Sequence, residues 1–316
     1  MIYFGVDIGG TGIKVGAVSR EGKILHMESA PTQAQLGYEV LAKDIAGLIN
    51  KIMKENNIEL CDVAAIGMGC PGSIDDRNGV VIYANNLNMT NAPLCDELKK
   101  YIDKPIYIGN DANCAALGEY FALNDSSVEH MIAITLGTGV GGGLILNKKI
   151  FTGFNGVAGE LGHSTLIMDG EQCSCGRKGC WEAYSSATGL INMTKRMLEK
   201  TNKDETIMHE MVENDGKVSG RTAFNAMKKG DNKGKEVVDE YLLYLAEGIT
   251  NMVNIFQPEI VVIGGGVCNE KEHLVEPLKA MVDEGNYYKG ENDRTVIKVA
   301  ELGNDAGIIG AAMLGF

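Results

Sequence analysis

The chain has 316 residues, of which 45% are hydrophobic and 22% are charged, and this composition excludes disordered, collagen-like and small disulfide-stapled proteins. Acidic residues outnumber basic ones by 42 to 29, giving a net charge of −13, so we expect no nucleic-acid partner. There is no signal-peptide pattern and no apolar run of about 18 residues, which predicts a cytoplasmic protein without membrane contact. The 41 glycines cluster in short runs, which indicates backbone brought close to ligands.

The chain begins with three predicted antiparallel strands. Their apolar stretches cover 3–8, 13–18 and 23–27. The first turn, Gly9-Gly10-Thr11-Gly12, has Asp7 before it and Lys14 after it, and its small residues let backbone N–H groups approach a phosphate. The alternative is an ordinary tight hairpin with a solvent-facing Lys14.

Helices and strands alternate next, which predicts α/β architecture. A helical stripe covers 41–52, and strands at 63–68 and 104–108 follow. Asp111 comes directly after the second of these strands, where α/β sheets carry ligand sites, and before a helix from about Ala112. In the alternative interpretation Asp111 is only the N-cap of that helix.

The first strand–turn–strand unit recurs later in the chain. Gly10-Thr11-Gly12 returns as Gly137-Thr138-Gly139, again between predicted strands at 131–136 and 142–146. We interpret this as an internal duplication that yields two similar domains with a cleft between them, although short glycine strings can match by chance. The same run formally fits the dinucleotide motif G-x-G-x-x-G, but that motif needs a following helix, and here a strand follows.

The C-terminal half contains a metal-ligand pattern. His163 together with Cys173, Cys175 and Cys180 makes a complete tetrahedral zinc set with no open position for water, which predicts a structural site. Unrelated cysteines or a disulfide are the alternatives. Beyond this loop we expect helices from 182 and over 237–253, a strand at 259–263 that runs into Gly264-Gly265-Gly266, and a final helix at 307–314.

Taken in order, these motifs resemble those of the ROK family of bacterial sugar kinases and repressors, most closely its glucokinases. The matching pieces are Asp7 to Lys14, Cys70-Pro71-Gly72, Asn86-Leu87, Asn110-Asp111-Ala112-Asn113, Gly137 to Gly143, Gly159 to His163, Gly179 to Glu182, Gly264 to Val267 and Leu302 to Gly307. Two positions differ from the commonest glucokinase pattern, Met89 and Trp181, and they leave the choice of hexose open.

The resemblance implies an actin-like, ribonuclease-H-like duplicated α/β fold with ATP and sugar in an interdomain cleft. We expect a smaller domain over 1–117, with the helix at about 303–316 packing back on it, and a larger domain over 118–302 that carries the zinc loop. The resemblance also implies a homodimer.

The resemblance assigns a role to each candidate site residue. Asp111 would be the catalytic base, and Asp7 would place Mg²⁺. The implied hexose ligands are Gly72, Asn86, Asn110, Asp111, Glu160, His163 and Glu182. The implied nucleotide-binding residues are Asp7, Gly9, Gly10, Thr11, Lys14, Gly137, Thr138, Gly139, Gly264 and Gly265. His163 would serve both the sugar and the zinc ion.

The implied reaction is ATP-dependent phosphorylation of a hexose 6-hydroxyl, with glucose as the expected substrate in glycolysis. Mannose, fructose, allose, N-acetylglucosamine and N-acetylmannosamine are alternatives for the same chemistry. A sugar-sensing repressor of the same family would carry a helix-turn-helix domain before the first glycine turn. That turn follows Asp7 here, so we expect an enzyme.

Overall fold

The structure is a computed structural model that describes the whole chain, Met1 to Phe316. Two compact units make up the fold. The first comprises Met1–Glu129, Gly143–Gly159 and Glu301–Phe316, and the second His130–Gly142 and Glu160–Ala300. Residues 118–129 and 143–159 thus group with the first unit, whereas the sequence-based boundary at 117/118 places them in the second domain.

Strands and helices alternate along the chain. The strands are β1 (Ile2–Ile8), β2 (Gly12–Ser19), β3 (Ile24–Pro31), β4 (Val63–Cys70), β5 (Ser73–Asp75), β6 (Val80–Ala84), β7 (Met89–Ala92), β8 (Ile106–Asn110), β9 (Met131–Leu136), β10 (Val140–Leu146), β11 (Lys149–Ile150), β12 (Ile260–Gly264) and β13 (Val296–Val299). The α-helices are α1 (Tyr38–Glu55), α2 (Leu94–Lys99), α3 (Asp111–Ala122), α4 (Trp181–Ser185), α5 (Ala187–Lys200), α6 (Met208–Asp215), α7 (Thr222–Lys228), α8 (Asn232–Phe256), α9 (Glu272–Gly285) and α10 (Ala306–Met313).

The two five-stranded sheets have the same layout. One has the order β3-β2-β1-β4-β8 and the other β11-β10-β9-β12-β13, so each strand has a counterpart at the same position in the other sheet. In the first sheet β2 is antiparallel to β1 and β3, while β4 is parallel to β1 and β8. In the second, β11 is antiparallel to β10, while β12 is parallel to β9 and β13. The internal duplication predicted from the two glycine turns is therefore confirmed.

Several elements were not predicted from the sequence. Strands β5, β6 and β7 form a separate antiparallel sheet of three short strands, and α2, α9 and β13 are also additions. The predicted strands and helices around the two glycine turns are present, with ends that differ by a few residues. None of the helices combines the length and apolar character needed to cross a bilayer.

Helix α10 lies against the first sheet and α3 at unusually short range, and glycines make this possible. A Cβ atom on Gly5 of β1 or Gly67 of β4 would lie 1.9 or 1.8 Å from a carbonyl oxygen of α10. On the helix itself, a Cβ on Gly310 would lie 1.6 Å from the carbonyl oxygen of Cys114 in α3. Part of the glycine excess therefore serves backbone-to-backbone packing, whereas the sequence pattern indicates ligand contact alone.

The second unit packs its helices around α8. Trp181 at the start of α4 is fully buried, and its Nε1 donates to the carbonyl oxygen of Tyr244, 3.1 Å away. The indole lies directly on Gly248, where a Cβ would come within 2.0 Å of the ring. This contact fixes α4, and with it the residues that follow the cysteine loop.

Candidate functional site

The first glycine turn joins β1 to β2 and is fixed by its own backbone and by Thr32, the residue after β3. Gly9 N–H donates to the carbonyl oxygen of Gly12 at 2.8 Å, and the Thr32 hydroxyl donates to that of Gly9 at 2.6 Å. Asp7 pairs with Lys14 across the two strands. The turn thus combines open backbone N–H groups, a carboxylate and an ammonium group, which suits a phosphate accompanied by a cation.

Asp7 lies near a second carboxylate. Burial raises the pKa of Asp7, the Lys14 ammonium partly offsets that rise, and the charge of Asp111 adds to it. Two carboxylates in one neighbourhood repel each other, and a divalent cation would relieve that repulsion. The residues therefore fit a Mg²⁺ ion.

Asp111 opens helix α3, but its neighbour caps the helix. Asn110 Oδ1 accepts from Ala112 N at 2.9 Å and from Asn113 N at 3.2 Å, and Asn110 Nδ2 donates to the Gly72 carbonyl oxygen at 3.1 Å. The alternative in which Asp111 is the N-cap is therefore wrong. Burial raises the pKa of Asp111, while its hydrogen bond from Ala112 N lowers it in part. A half-buried carboxylate of raised pKa is suited to accept a proton.

Gly72 and Asn86 lie at the same end of the sheet. Gly72 has φ +101° and is pressed against β6, since a Cβ there would lie 2.1 Å from the carbonyl oxygen of Tyr83. Asn86 is exposed and adjoins the first turn, because a Cβ on Gly10 would lie 3.4 Å from the Cβ of Asn86. The first unit thus gathers Asp7, Gly10, Gly72, Asn110 and Asp111 at the carboxyl ends of β1, β4 and β8, where α/β sheets bind ligands.

The second unit brings the four predicted metal ligands together. The ligand atoms of His163, Cys173, Cys175 and Cys180 all lie within 4.8 Å of one another. Cys175 Sγ and Cys180 Sγ are 3.7 Å apart, and Cys173 Sγ is 3.7 Å from His163 Nδ1. Tetrahedral zinc with Zn–S bonds of about 2.3 Å places two sulfur atoms about 3.8 Å apart, so the donor set fits this metal. All eight cysteines are free, which leaves no support for the disulfide alternative.

The second glycine turn runs from Gly137 to Val140 and is held by the segment that follows the cysteine loop. Gly137 O accepts from Ala187 N at 2.9 Å, and Thr138 O accepts from the Thr188 hydroxyl at 2.7 Å. Val140 N donates to Glu182 Oε2 at 3.0 Å. Thr188 was missed in the sequence analysis, although Ser186-Ala187-Thr188 is a recognisable helix start with Ser186 as N-cap.

The third glycine turn lies directly against the second. Gly265 has φ +99°, and a Cβ there would lie 2.3 Å from the carbonyl oxygen of Leu136, the residue before Gly137. Gly264 is the last residue of β12, and Glu160 immediately precedes the short 3-10 helix Leu161–His163. The second unit therefore gathers two of the three turns predicted to bind nucleotide, and it places Glu160 next to His163 of the four-residue cluster.

Comparisons with known proteins give a consistent result. The sequence model of the ROK family matches residues 3–315. The glucokinase of Halalkalibacterium halodurans is 36% identical over 99% of this chain and 94% of its own. The N-acetyl-D-glucosamine kinase of Aliivibrio fischeri is 33% identical over 99% of both chains. A ROK glucokinase of Streptomyces griseus, solved with glucose and AMPPNP, shares a TM-score of 0.76 and 32% identity over 99% of both chains. The predicted actin-like α/β class is confirmed by this likeness.

Proposed function

Because the chain belongs to the ROK family, we propose that it is an ATP-dependent hexose kinase that phosphorylates the 6-hydroxyl of glucose. The observation that carries this proposal is the state of Asp111. Asn110 supplies the helix cap, and only one oxygen of the half-buried Asp111 carboxylate accepts a hydrogen bond, from Ala112 N. The other oxygen is left for chemistry at the carboxyl edge of the sheet, close to Asp7. The family relation supplies the reaction class, and this carboxylate supplies the base.

Asp111 accepts the proton of the attacking hydroxyl. Its raised pKa makes it a stronger base than an exposed aspartate, which favours that transfer. Asp7 would hold Mg²⁺, which offsets negative charge on the phosphate oxygens when bound. Lys14 and the backbone N–H groups at Gly10 and Thr11 would hold phosphate oxygens, while the Gly9 N–H closes the turn onto Gly12. The turns at 137–139 and 264–265 would hold the rest of the nucleotide.

The hexose would be held by polar side chains that can match its hydroxyl groups. We propose Asn86, Glu160 and His163, with a backbone contact from Gly72. Asn110 and Glu182 stay predicted hexose ligands, although in this structure both side chains also make hydrogen bonds within the protein. Hydroxyl-rich ligands need such partners because each buried polar group left unpaired costs about 1–3 kcal/mol.

The four-residue cluster would hold a structural zinc ion. Nδ1 of His163 is the ring atom near Cys173, so the opposite nitrogen, Nε2, is left to donate to a hexose hydroxyl. Metal ligation at Nδ1 fixes both the tautomer and the ring orientation. Zinc would therefore support sugar binding without taking part in phosphoryl transfer.

A hexose panel in a coupled ADP assay tests the proposal. We expect the highest kcat/KM with glucose, ahead of mannose, fructose, allose, N-acetylglucosamine and N-acetylmannosamine. N-acetylglucosamine is the second candidate, because a kinase of that sugar is 33% identical over nearly the whole chain. If no hexose supports ADP formation, the kinase proposal is wrong and the sugar-sensing regulator remains. We also propose a homodimer, which analytical ultracentrifugation would test.

A further inference from the structure

The turn from Gly137 to Val140, here called the second phosphate turn, is attached to the metal cluster at two points. Glu182, two residues after the ligand Cys180, accepts the Val140 N–H through Oε2 at 3.0 Å. Gly162, next to the ligand His163, lies so close that a Cβ there would be 2.3 Å from the Val140 carbonyl oxygen. Both backbone groups of Val140 therefore face residues that the cluster positions.

The second oxygen of Glu182 contacts the cysteine loop itself. Ser174, which lies between the ligands Cys173 and Cys175, donates its hydroxyl to Glu182 Oε1 at 3.2 Å. The carboxylate thus bridges the loop and the turn, one oxygen on each. It also fits closely beneath the turn, since a Cβ on Gly139 would lie 2.2 Å from Oε2.

A turn with two glycines is costly to order when a ligand binds. Gly137 and Gly139 have more backbone freedom to lose than other residues, and that loss weakens binding unless the turn is already fixed. A hydrogen bond from a backbone N–H to a carboxylate is charge-assisted and stronger than one to a neutral acceptor. The hydrogen bond to Glu182 therefore restricts the backbone of the turn already in the nucleotide-free protein.

We infer that Glu182 is a positioning residue which, through Val140 N–H, pre-forms the second phosphate turn for ATP and ties it to the cysteine loop through Ser174. The inference rests on the proposed function for the identity of the nucleotide. It predicts that nucleotide affinity, and not hexose affinity alone, depends on this carboxylate.

Comparing Glu182→Ala with Glu182→Gln tests whether the side chain acts as the acceptor for Val140 N–H. Glutamine keeps an oxygen acceptor for Val140 N–H, whereas alanine removes it. Glu199→Ala, at an exposed position near the end of α5, is the matched control. By calorimetry on the full-length chain, we expect AMPPNP to bind about tenfold more weakly to Glu182→Ala, the equivalent of about 1.4 kcal/mol. We expect Glu182→Gln to stay within about threefold of the parent, and Glu199→Ala to match it.

Amide hydrogen exchange of ligand-free protein supplies a readout that does not depend on activity. We expect faster exchange at Val140 in Glu182→Ala and unchanged exchange in Glu199→Ala, with metal content equal in all variants. If Glu182→Ala folds poorly, Ser174→Ala carries the test, with a loss of AMPPNP affinity of about threefold. Parent-like AMPPNP affinity together with unchanged Val140 exchange would overturn the inference. If the parent chain itself does not bind AMPPNP, the proposed function fails, and Val140 exchange still decides whether Glu182 holds the turn.

Discussion

Two glycine-to-alanine substitutions within helices should change stability in opposite directions. Gly310 in α10 is buried, and an alanine Cβ there would lie 1.6 Å from the Cys114 carbonyl oxygen and 2.7 Å from Gly118 N. Gly47 in α1 is exposed, and an alanine Cβ there meets no atom within 4 Å. The substitution is chemically the same at both positions, so only the surroundings differ.

The expected magnitudes follow from these distances. Replacing a helical glycine by alanine stabilises by about 0.5–1 kcal/mol through reduced backbone freedom, and this is the whole effect at Gly47. At Gly310 the neighbour is backbone, which cannot rotate away, so α10 and α3 must separate by more than about 1 Å across a packed interface. Overpacking of this kind costs about 1–3 kcal/mol or more, and we expect a net loss of at least about 2 kcal/mol.

Urea-induced unfolding followed by circular dichroism measures both effects. Gly47→Ala should raise the urea midpoint slightly, and Gly310→Ala should lower it clearly, with no change in the denaturant slope. A Gly310→Ala protein as stable as the parent would refute the close packing of α10. Equal destabilisation by both substitutions would show that the close packing around Gly310 does not determine the cost of the added methyl group.

The remaining predictions concern the site. Asp111→Asn should lower kcat by about 10²-fold or more in the coupled assay while glucose binding persists, and an active variant would contradict the role of Asp111 as base. The same variant should melt at a higher temperature than the parent at neutral pH. Burial raises the pKa of Asp111 in the folded state, so the contribution of this group to stability is present at low pH and is lost as pH rises through that pKa. Asparagine resembles the protonated form and therefore avoids this loss. In the parent enzyme, kcat/KM should fall on acidification with a midpoint above the ordinary aspartate value of 3.8, whereas a midpoint at or below it would contradict a base of raised pKa. A zinc chelator should inactivate the enzyme slowly as the cysteine loop loosens, and full activity after measured metal loss would argue against the supporting role of zinc.

Local patterns predicted the elements around the ligand turns. The β1–β2 and β9–β10 hairpins could be recognised because strand alternation and glycine turns are encoded by neighbouring residues. The spacing of the three cysteines likewise predicted a cluster that the structure assembles, and His163 joins it from only ten residues away from Cys173.

Features that depend on distant partners could not be predicted in this way. Gly5, Gly67 and Gly310 look like any other glycine in the sequence, and only the arrival of α10 shows that they permit backbone contact. Asn110 and Asp111 are both good capping residues, so composition alone does not decide which one caps α3. The structure decides it, because Asn110 has the extended backbone of a cap, with ψ 145°.

The position of α10 near the end of the sequence also affects when the first unit can fold during synthesis. Its residues Ile308, Ile309, Ala312 and Met313 form one apolar cluster with Tyr3, Val18 and Ala65, and Glu119 in α3 accepts the N–H groups of Glu301 and Leu302 just before the helix. The first unit therefore completes this apolar cluster only when residue 313 has emerged from the ribosome, long after β1 and β4. Until then the face of β1 and β4 that α10 covers is open to solvent, so a nascent or truncated chain should depend on chaperones far more than the finished protein.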